Sequence, residues 1–166
     1  FQPEADASVI GEWRLPHRYQ LGRTLGSGVY GEVRIARDNL LERQVAVKRM
    51  GDFWQSSGDC KRILREVAIL SRLRHSHTVQ IHDLPLPPDP DGFTDLYLVM
   101  ELCDACLLDV CKHPSGVSLP QARKLVYGML LGCSYLHSAG IYHRDLKPGN
   151  CVVNRDCTLK ICDFNL

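Results

Sequence analysis

Residues 143–150 read HRDLKPGN and place an acid, a lysine and an asparagine within eight positions. In this stretch Asp145 can accept a proton from a hydroxyl group, and Lys147 can neutralise charge on a phosphoryl group. Asn150 offers a neutral oxygen ligand to a divalent cation such as Mg²⁺. These residue types in this order predict a loop that carries phosphoryl-transfer chemistry.

A second acid follows a short predicted strand near the end of the sequence. Residues 159–166 read LKICDFNL, so Asp163 comes directly after a mostly apolar run. Because Mg²⁺ prefers carboxylate and phosphate oxygens, Asp163 is predicted to complete a metal site with Asn150. The alternative is an acid that only caps the strand in a tight turn.

Residues 26–33 read GSGVYGEV and form a G-x-G-x-x-G pattern between two predicted strands. Glycine lets the backbone come close to phosphate oxygens, which predicts a flap over a phosphate group. The alternative is a simple glycine-rich hairpin. A dinucleotide-binding turn is disfavoured because a strand, and no helix, follows the glycines. The residues of the predicted flap are Gly26, Ser27, Gly28, Val29 and Gly31.

Lys48 closes the β-branched run VAVK at the end of a third predicted strand. A lysine fixed there can hold phosphate oxygens, and Glu66 on the following predicted helix can supply the opposite charge that a buried ammonium needs. The alternative is an exposed lysine at a strand end.

The periodicity of the chain predicts an α+β fold. Five strands and one helix, over 60–75 with Asp59 as its N-cap, account for the first hundred residues. A long helix over 119–140, a polar loop and two short strands follow. The formal net charge is +1, and no apolar run is long enough to cross a bilayer, so neither a nucleic-acid nor a membrane partner is predicted.

The eight cysteines raise the question of a metal site. Cys103 and Cys106 have metal-ligand spacing, but no second such pair follows them. Zinc is therefore disfavoured, and reduced thiols in an intracellular protein are predicted.

Taken together, these motifs resemble a eukaryotic protein kinase of the serine/threonine type. The glycine pattern, VAVK, Glu66, HRDLKPGN and DFN occur in the family's order, and KRILREVAILSRLRH and VNRDCTLKICDF are similar to mitogen-activated protein kinases. The resemblance implies a two-lobed fold with an N-terminal extension (1–18) and an N-lobe (19–103) that holds a five-stranded antiparallel sheet and one helix. An incomplete, mostly helical start of the C-lobe (104–166) follows.

The resemblance also implies ATP and Mg²⁺ as cofactors and assigns further residues. Val33, Ala46 and Val152 would enclose the adenine ring, Met100 would lie behind it, and the backbone of Glu101 and Cys103 would bind its edge. Leu70, His143 and Phe164 would stack in the active state. Arg62, Arg65 and Arg144 would bind an activating phosphothreonine, although a solvated basic helix face is the alternative.

Three positions depart from the family or invite a second interpretation. Asn165 replaces a hinge glycine, which predicts a stiffer switch with the metal ligand intact. Cys106 replaces a frequent ribose-binding aspartate, and Asp104 or Asp109 is the candidate substitute. Cys162 would lie at the back of the nucleotide pocket, where core packing is favoured over reaction with electrophiles.

The leading hypothesis is the ATP-binding and catalytic-loop part of a kinase that acts on protein substrates in a mitogen-activated cascade. The activation segment and substrate-reading helices are expected beyond this sequence, so the chain alone is expected to be inactive. An upstream activating kinase and a cytoplasmic location, with the nucleus second, are expected for the full-length form. The alternatives are a nucleotide- or partner-binding module without turnover, and an incomplete sequence.

Overall fold

The computed structural model describes residues 13–28, 31–51, 57–85 and 95–164. The described residues form two compact units. The first unit lies within 1–56 and 82–102, and the second within 57–81 and 103–166. No helix in these ranges has the length and apolar character that a bilayer span requires.

The first unit is a five-stranded sheet, which confirms the five predicted strands. Its strands are β1 (Tyr19–Gly28), β2 (Gly31–Asp38), β3 (Arg43–Met50), β4 (Ile81–Asp83) and β5 (Leu96–Glu101). They lie in the order β1-β2-β3-β5-β4, and the pairs β1–β2, β2–β3 and β3–β5 are antiparallel.

The two faces of this sheet have different residues. On one, called the core face, Val45 and Val47 of β3 pack with Tyr97 and Val99 of β5. Because successive side chains of a strand alternate between faces, the residues between them lie on the opposite face. That opposite face, called the site face, includes Ala46, Lys48, Leu98 and Met100.

Arg18 anchors the start of β1 through charged hydrogen bonds. Its Nε and Nη2 atoms donate to the two carboxylate oxygens of Asp38, each at 2.7 Å, and Nη1 lies 3.3 Å from Asp83 Oδ2. The hydroxyl of Tyr19 also donates to Asp83. The paired guanidinium holds the pKa of Asp38 down at about 2, so this anchor stays charged at neutral pH.

The second unit combines helices with a small sheet, which confirms the predicted α+β class. It contains α1 (Ser57–Arg72), β6 (Ala105–Cys106), α2 (Leu107–Lys112), α3 (Leu119–Ser138), a 3₁₀ turn (Pro148–Asn150), β7 (Cys151–Val153) and β8 (Leu159–Ile161). The antiparallel order is β6-β7-β8. The predicted N-cap at Asp59 is wrong, because α1 already begins at Ser57. The position of Asp59 is in the first turn of α1, where the helix dipole favours an acid. The predicted start of the helix was therefore about one turn too late in the sequence.

Two glycines of α3 allow the chain segment after α1 to pack closely against the helix. A Cβ atom at Gly128 would lie 2.9 Å from ring atoms of His77, and one at Gly132 would lie 2.9 Å from the His77 carbonyl oxygen. The Nδ1 atom of His77 lies 2.7 Å from the Leu159 carbonyl oxygen, and the His75 ring stacks on Tyr135 at 4.5 Å. These contacts join α3, β8 and the segment after α1 into one packed layer.

A capping box begins α3. The Ser118 hydroxyl accepts from the Gln121 backbone N–H at 3.5 Å, and the Gln121 side chain accepts from the Ser118 N–H at 3.0 Å. We expect Ser118→Ala to lower the free energy of unfolding by about 1 kcal/mol in urea denaturation, because a donor at the helix start loses its acceptor. Ser134→Ala, at an exposed position inside the helix, is the control and should not destabilise the protein. Equal losses for both variants would contradict the capping role.

Candidate active site

The register of the first unit brings four predicted nucleotide-binding side chains to the site face. Val33 pairs with Lys48, and Ala46 pairs with Met100. The antiparallel partners of a sheet point to the same side, so these four side chains form one surface across three strands. The backbone of Glu101, which was predicted to bind the adenine edge, follows at the end of β5.

Lys48 and Glu66 are both almost fully buried, at 8% and 5% exposure. The alternative of an exposed strand-end lysine is therefore wrong. A buried ammonium and a buried carboxylate each need a polar or charged partner. That Lys48 and Glu66 are each other's partners stays a prediction.

The three glycines of the hairpin formed by β1 and β2, called the glycine hairpin, have different structural roles. Gly31 has a φ angle of 132°, and a Cβ atom there would lie 1.8 Å from the Arg49 carbonyl oxygen, so the fold requires glycine. Gly26 and Gly28 have no atom within 4 Å of an added Cβ. The space at these two positions is what a backbone needs in order to approach a ligand. Ser27 pairs with Glu32, and Val29 lies outside the described residues.

The predicted catalytic residues of HRDLKPGN come together in the second unit. The Lys147 ammonium lies 2.6 Å from Asp145 Oδ2, and the Asn150 amide donates to the same oxygen at 3.0 Å. A further bond of 2.8 Å joins the Asn150 amide to the Asp145 carbonyl oxygen. The loop thus holds its acid, its cation and its amide in one hydrogen-bonded group.

The environment of Asp145 favours its charged form. The hydrogen bond from Lys147 is the largest cause that holds its pKa below the ordinary value, and the Asn150 hydrogen bond acts in the same direction. Asp145 is therefore a carboxylate at neutral pH, with lone pairs available to a hydroxyl donor.

Asn150 and Asp163 are linked through the backbone. The Cys162 N–H donates to the Asn150 carbonyl oxygen at 3.0 Å, which places the next residue, Asp163, beside the loop of residues 143–150. Asp163 has a φ angle of 61°, a turn conformation that directs the chain away from β8.

The chemistry of these two side chains fits Mg²⁺. The amide nitrogen of Asn150 is engaged with Asp145, so its side-chain oxygen is the atom left for a hard cation, and Asp163 supplies a carboxylate. No cluster of three His, Cys, Asp or Glu side chains suited to a metal occurs among the described residues. A Mg²⁺ ion here would share its coordination with phosphate oxygens and water, as this ion commonly does.

His143 connects the loop of residues 143–150 to the segment around Asp163. Its Nε2 atom lies 2.9 Å from the Cys162 carbonyl oxygen, and its ring centroid lies 5.0 Å from that of Phe164. Phe164 and Leu70 are fully buried. The His143–Phe164 contact matches part of the predicted stack, and the participation of Leu70 remains a prediction.

Cys106 lies where the resemblance places a ribose-binding acid. It pairs with Val152 across β6 and β7, and its thiol faces the carbonyl oxygens of Pro148 and Gly149 at 3.6 and 3.9 Å. Asp104 forms an ion pair with Arg155 and accepts from its backbone N–H, so this carboxylate is engaged with the β7–β8 turn. Asp109 is an exposed acid in the first turn of α2.

The remaining predicted residues occupy several environments. Arg65 and Arg144 are exposed, Cys103 and Cys162 are partly buried, and all eight cysteines are free thiols. Three predictions concern parts of the chain that the structure does not describe: Val29, the Arg62 side chain and Asn165. Sequence reasoning missed Trp13 and Glu32, which lie on the core face behind the site. The sequence features that could have pointed to these two residues were a tryptophan in a polar segment and an acid within a strand.

Comparison with known proteins assigns the family. Residues 19–166 match the protein kinase domain, so the chain belongs to the protein kinase domain family. It is 39% identical over 155 residues to Extracellular signal-regulated kinase 1 of Dictyostelium discoideum, covering 93% of this chain and 29% of that protein. It is also 40% identical over 163 residues to Mitogen-activated protein kinase 8 of Arabidopsis thaliana, covering 98% and 28%.

A rice protein gives a similar result: Mitogen-activated protein kinase 15 of Oryza sativa subsp. japonica is 40% identical over 155 residues, with 93% and 31% covered. The chain therefore spans less than a third of the length of these relatives. The predicted resemblance to protein kinases, and to mitogen-activated kinases among them, is confirmed.

Proposed function

We propose that this chain is the ATP-binding and catalytic-loop portion of a serine/threonine protein kinase. The observation that carries the proposal is the hydrogen-bonded group of Asp145, Lys147 and Asn150, with Asp163 beside it. An acceptor, a cation and two oxygen ligands in one place are what transfer of a phosphoryl group to a hydroxyl requires. The full-length protein would transfer the γ-phosphate of ATP to serine or threonine of protein substrates.

Asp145 orients the attacking hydroxyl and accepts its proton. Its lowered pKa makes it a weak base, so the proton moves late, after bonding to phosphorus has made the hydroxyl more acidic. Lys147 is placed to exchange its contact with Asp145 for one with the transferring phosphoryl oxygens. Catalysis then comes mainly from positioning and electrostatic stabilisation.

The site face supplies the binding surface for the nucleotide. Val33, Ala46 and Met100 offer apolar contacts to adenine, and Lys48 offers a fixed cation to the phosphates. The backbone at Gly26 and Gly28 has room to approach phosphate oxygens. The adenine contact that the resemblance implies for Val152 stays a prediction.

Asn150 and Asp163 would hold Mg²⁺, which neutralises charge on the phosphates when it is bound. We expect chelation of divalent cations by EDTA to abolish phosphotransfer by the full-length protein, and added Mg²⁺ to restore it. Added Ca²⁺, which prefers longer bonds and more ligands, is the control and should restore little activity. Undiminished turnover in EDTA would contradict the metal assignment.

The relatives support a place in a mitogen-activated cascade, because their names describe kinases of that type. Arg65 and Arg144 are exposed cations. The binding of an activating phosphate that an upstream kinase adds to this protein would require such exposed side chains. We propose a reducing cytoplasmic or nuclear compartment, in keeping with eight free thiols.

The direct test is phosphotransfer by the full-length protein purified from its source. Incubation with ATP labelled at the γ-phosphate, Mg²⁺ and a general protein substrate should label serine or threonine, as read by phosphoamino-acid analysis. Label on tyrosine alone would contradict the serine/threonine assignment, and the absence of any transfer by the phosphorylated and unphosphorylated protein would contradict the kinase assignment.

A nucleotide- or partner-binding module without turnover is the second candidate. It is favoured by Cys106, whose thiol faces backbone carbonyls where the family often places a ribose-binding carboxylate. This candidate predicts nucleotide binding without transfer. The two functions therefore predict different results in the labelling experiment and the same result in a nucleotide-binding experiment.

A further inference from the structure

Trp13 lies before β1, outside residues 19–166 that match the kinase family, yet it packs on the core face of the sheet. Its ring centroid lies 5.6 Å from that of Tyr97. The backbone N–H of the next residue, Arg14, donates to the Tyr97 hydroxyl at 2.9 Å. The segment before β1 is therefore attached to β5 by both a ring contact and a hydrogen bond.

Two arginines contact the face of the Trp13 ring. The guanidinium carbon of Arg34 lies 5.5 Å from the ring centroid, and that of Arg49 lies 5.9 Å from it. Both distances are within the range of a cation–π attraction. Arg34 is on β2 and Arg49 is on β3, so a single indole ring connects the two strands that carry Val33 and Lys48.

Arg34 links the Trp13 ring to the glycine hairpin. Its Nε atom donates to Glu32 Oε1 at 2.8 Å, and the Thr24 hydroxyl donates to the same oxygen at 2.7 Å. Thr24 lies on β1 at a register shift, so Glu32 joins the two strands near the turn of the hairpin. Glu32 is 6% exposed, and a carboxylate so buried depends on these donors.

The register explains how a shift of Glu32 or Arg49 on the core face can affect the site face. Glu32, Arg49 and Tyr97 form one cross-strand row, and Val33, Lys48 and Leu98 form the next row on the opposite face. Moving the first row moves the backbone that carries the second.

The indole Nε1 and Glu32 Oε2 are both buried, and neither makes a hydrogen bond within the described ranges. Burial raises the pKa of Glu32, but the hydrogen bonds from Thr24 and Arg34 hold it below the ordinary value.

We propose that Trp13 is a positioning residue that holds the glycine hairpin and β3 in their nucleotide-binding geometry, acting through Arg34, Arg49 and Glu32. Residues 13–18 are then part of the nucleotide-binding unit. This inference rests on the proposed ATP-binding function. Wild-type affinity for nucleotide tests that function separately from the role of Trp13.

The test compares the affinity of the full-length protein for Mg²⁺–ATP in wild type, Trp13→Ala, Trp13→Phe and Leu15→Ala. Leu15 packs against the same core from the same segment but offers no ring to a guanidinium, which makes it the matched control. We expect Trp13→Ala to weaken affinity by about three- to tenfold, and Trp13→Phe and Leu15→Ala by less than about twofold. Phenylalanine should restore binding because it keeps the ring, and the indole N–H makes no hydrogen bond there.

Amide hydrogen exchange provides the second measurement. Trp13→Ala should speed exchange in β1 and β2 and leave α3 of the second unit unchanged. If Trp13→Ala does not fold, Arg34→Met decides the question. This variant keeps an apolar stem and removes the guanidinium between the ring and Glu32, and it should weaken Mg²⁺–ATP affinity to a similar extent.

Each outcome has a distinct meaning. Wild-type protein that does not bind Mg²⁺–ATP contradicts the proposed function. Wild-type binding with unchanged affinity in Trp13→Ala, or in Arg34→Met where the first variant does not fold, overturns the role of Trp13. Equal losses in Trp13→Ala and Leu15→Ala also overturn it, because Trp13 would then contribute only apolar packing.

Discussion

Replacement of Asp145 by alanine in the full-length protein is expected to lower the rate of phosphotransfer by about a thousandfold or more, because the group proposed to accept the hydroxyl proton is removed. The affinity for Mg²⁺–ATP should change by less than about twofold, since Asp145 interacts with Lys147 and Asn150 and is assigned no contact with adenine or ribose. Single-turnover kinetics with ATP labelled at the γ-phosphate would measure the rate, and equilibrium titration would measure the affinity.

Asp156→Ala is the matched control for this change. Asp156 is an exposed acid in the same unit, and its carboxylate is bonded to Thr158 in the β7–β8 turn. Its removal changes the net charge by the same amount but should leave the rate of the chemical step near that of wild type. Normal turnover in Asp145→Ala would show that the loop does not perform the assigned chemistry, and the binding-module hypothesis would then be favoured.

The local parts of the site could be predicted from the sequence because they depend on short-range order. Asp145, Lys147 and Asn150 lie within six positions, and a loop of that length can hardly hold them far apart. The alternation of β3 likewise predicts that Ala46 and Lys48 share a face, and the register with β5 adds Met100 to it. Such predictions need only the periodicity of a strand and the reach of a side chain.

The long-range parts could not be predicted in this way. Nothing in the local sequence indicates that His77 packs against Gly128, or that Arg155 holds Asp104, because these contacts join residues that are about fifty apart. Trp13 was interpreted as part of an irregular extension, since a single aromatic residue in a polar segment has no periodicity. Its contact with Arg34 depends on where the segment around Trp13 lies on the folded sheet.

Gly31→Ala should have the largest effect on stability in the first unit. The φ angle of 132° is one that residues with a side chain rarely adopt, and the added methyl group would lie 1.8 Å from the Arg49 carbonyl oxygen. Neither the backbone of β3 nor that of β2 can yield by that much without breaking the ladder between them. We expect a loss of on the order of 3 kcal/mol in the free energy of unfolding, measured by urea denaturation, with faster amide exchange in β2 and β3.

Gly26→Ala separates the requirements of the fold from those of the ligand. An alanine methyl at this position meets no atom within 4 Å, and the backbone angle does not demand glycine, so the stability should stay within about 0.5 kcal/mol of wild type. The affinity for Mg²⁺–ATP should nevertheless fall, because the methyl group would occupy the space through which the backbone approaches phosphate. Unchanged affinity in Gly26→Ala would favour the simple hairpin over the phosphate flap. Unchanged stability in Gly31→Ala would mean that the backbone of Gly31 does not approach the Arg49 carbonyl oxygen as closely as described.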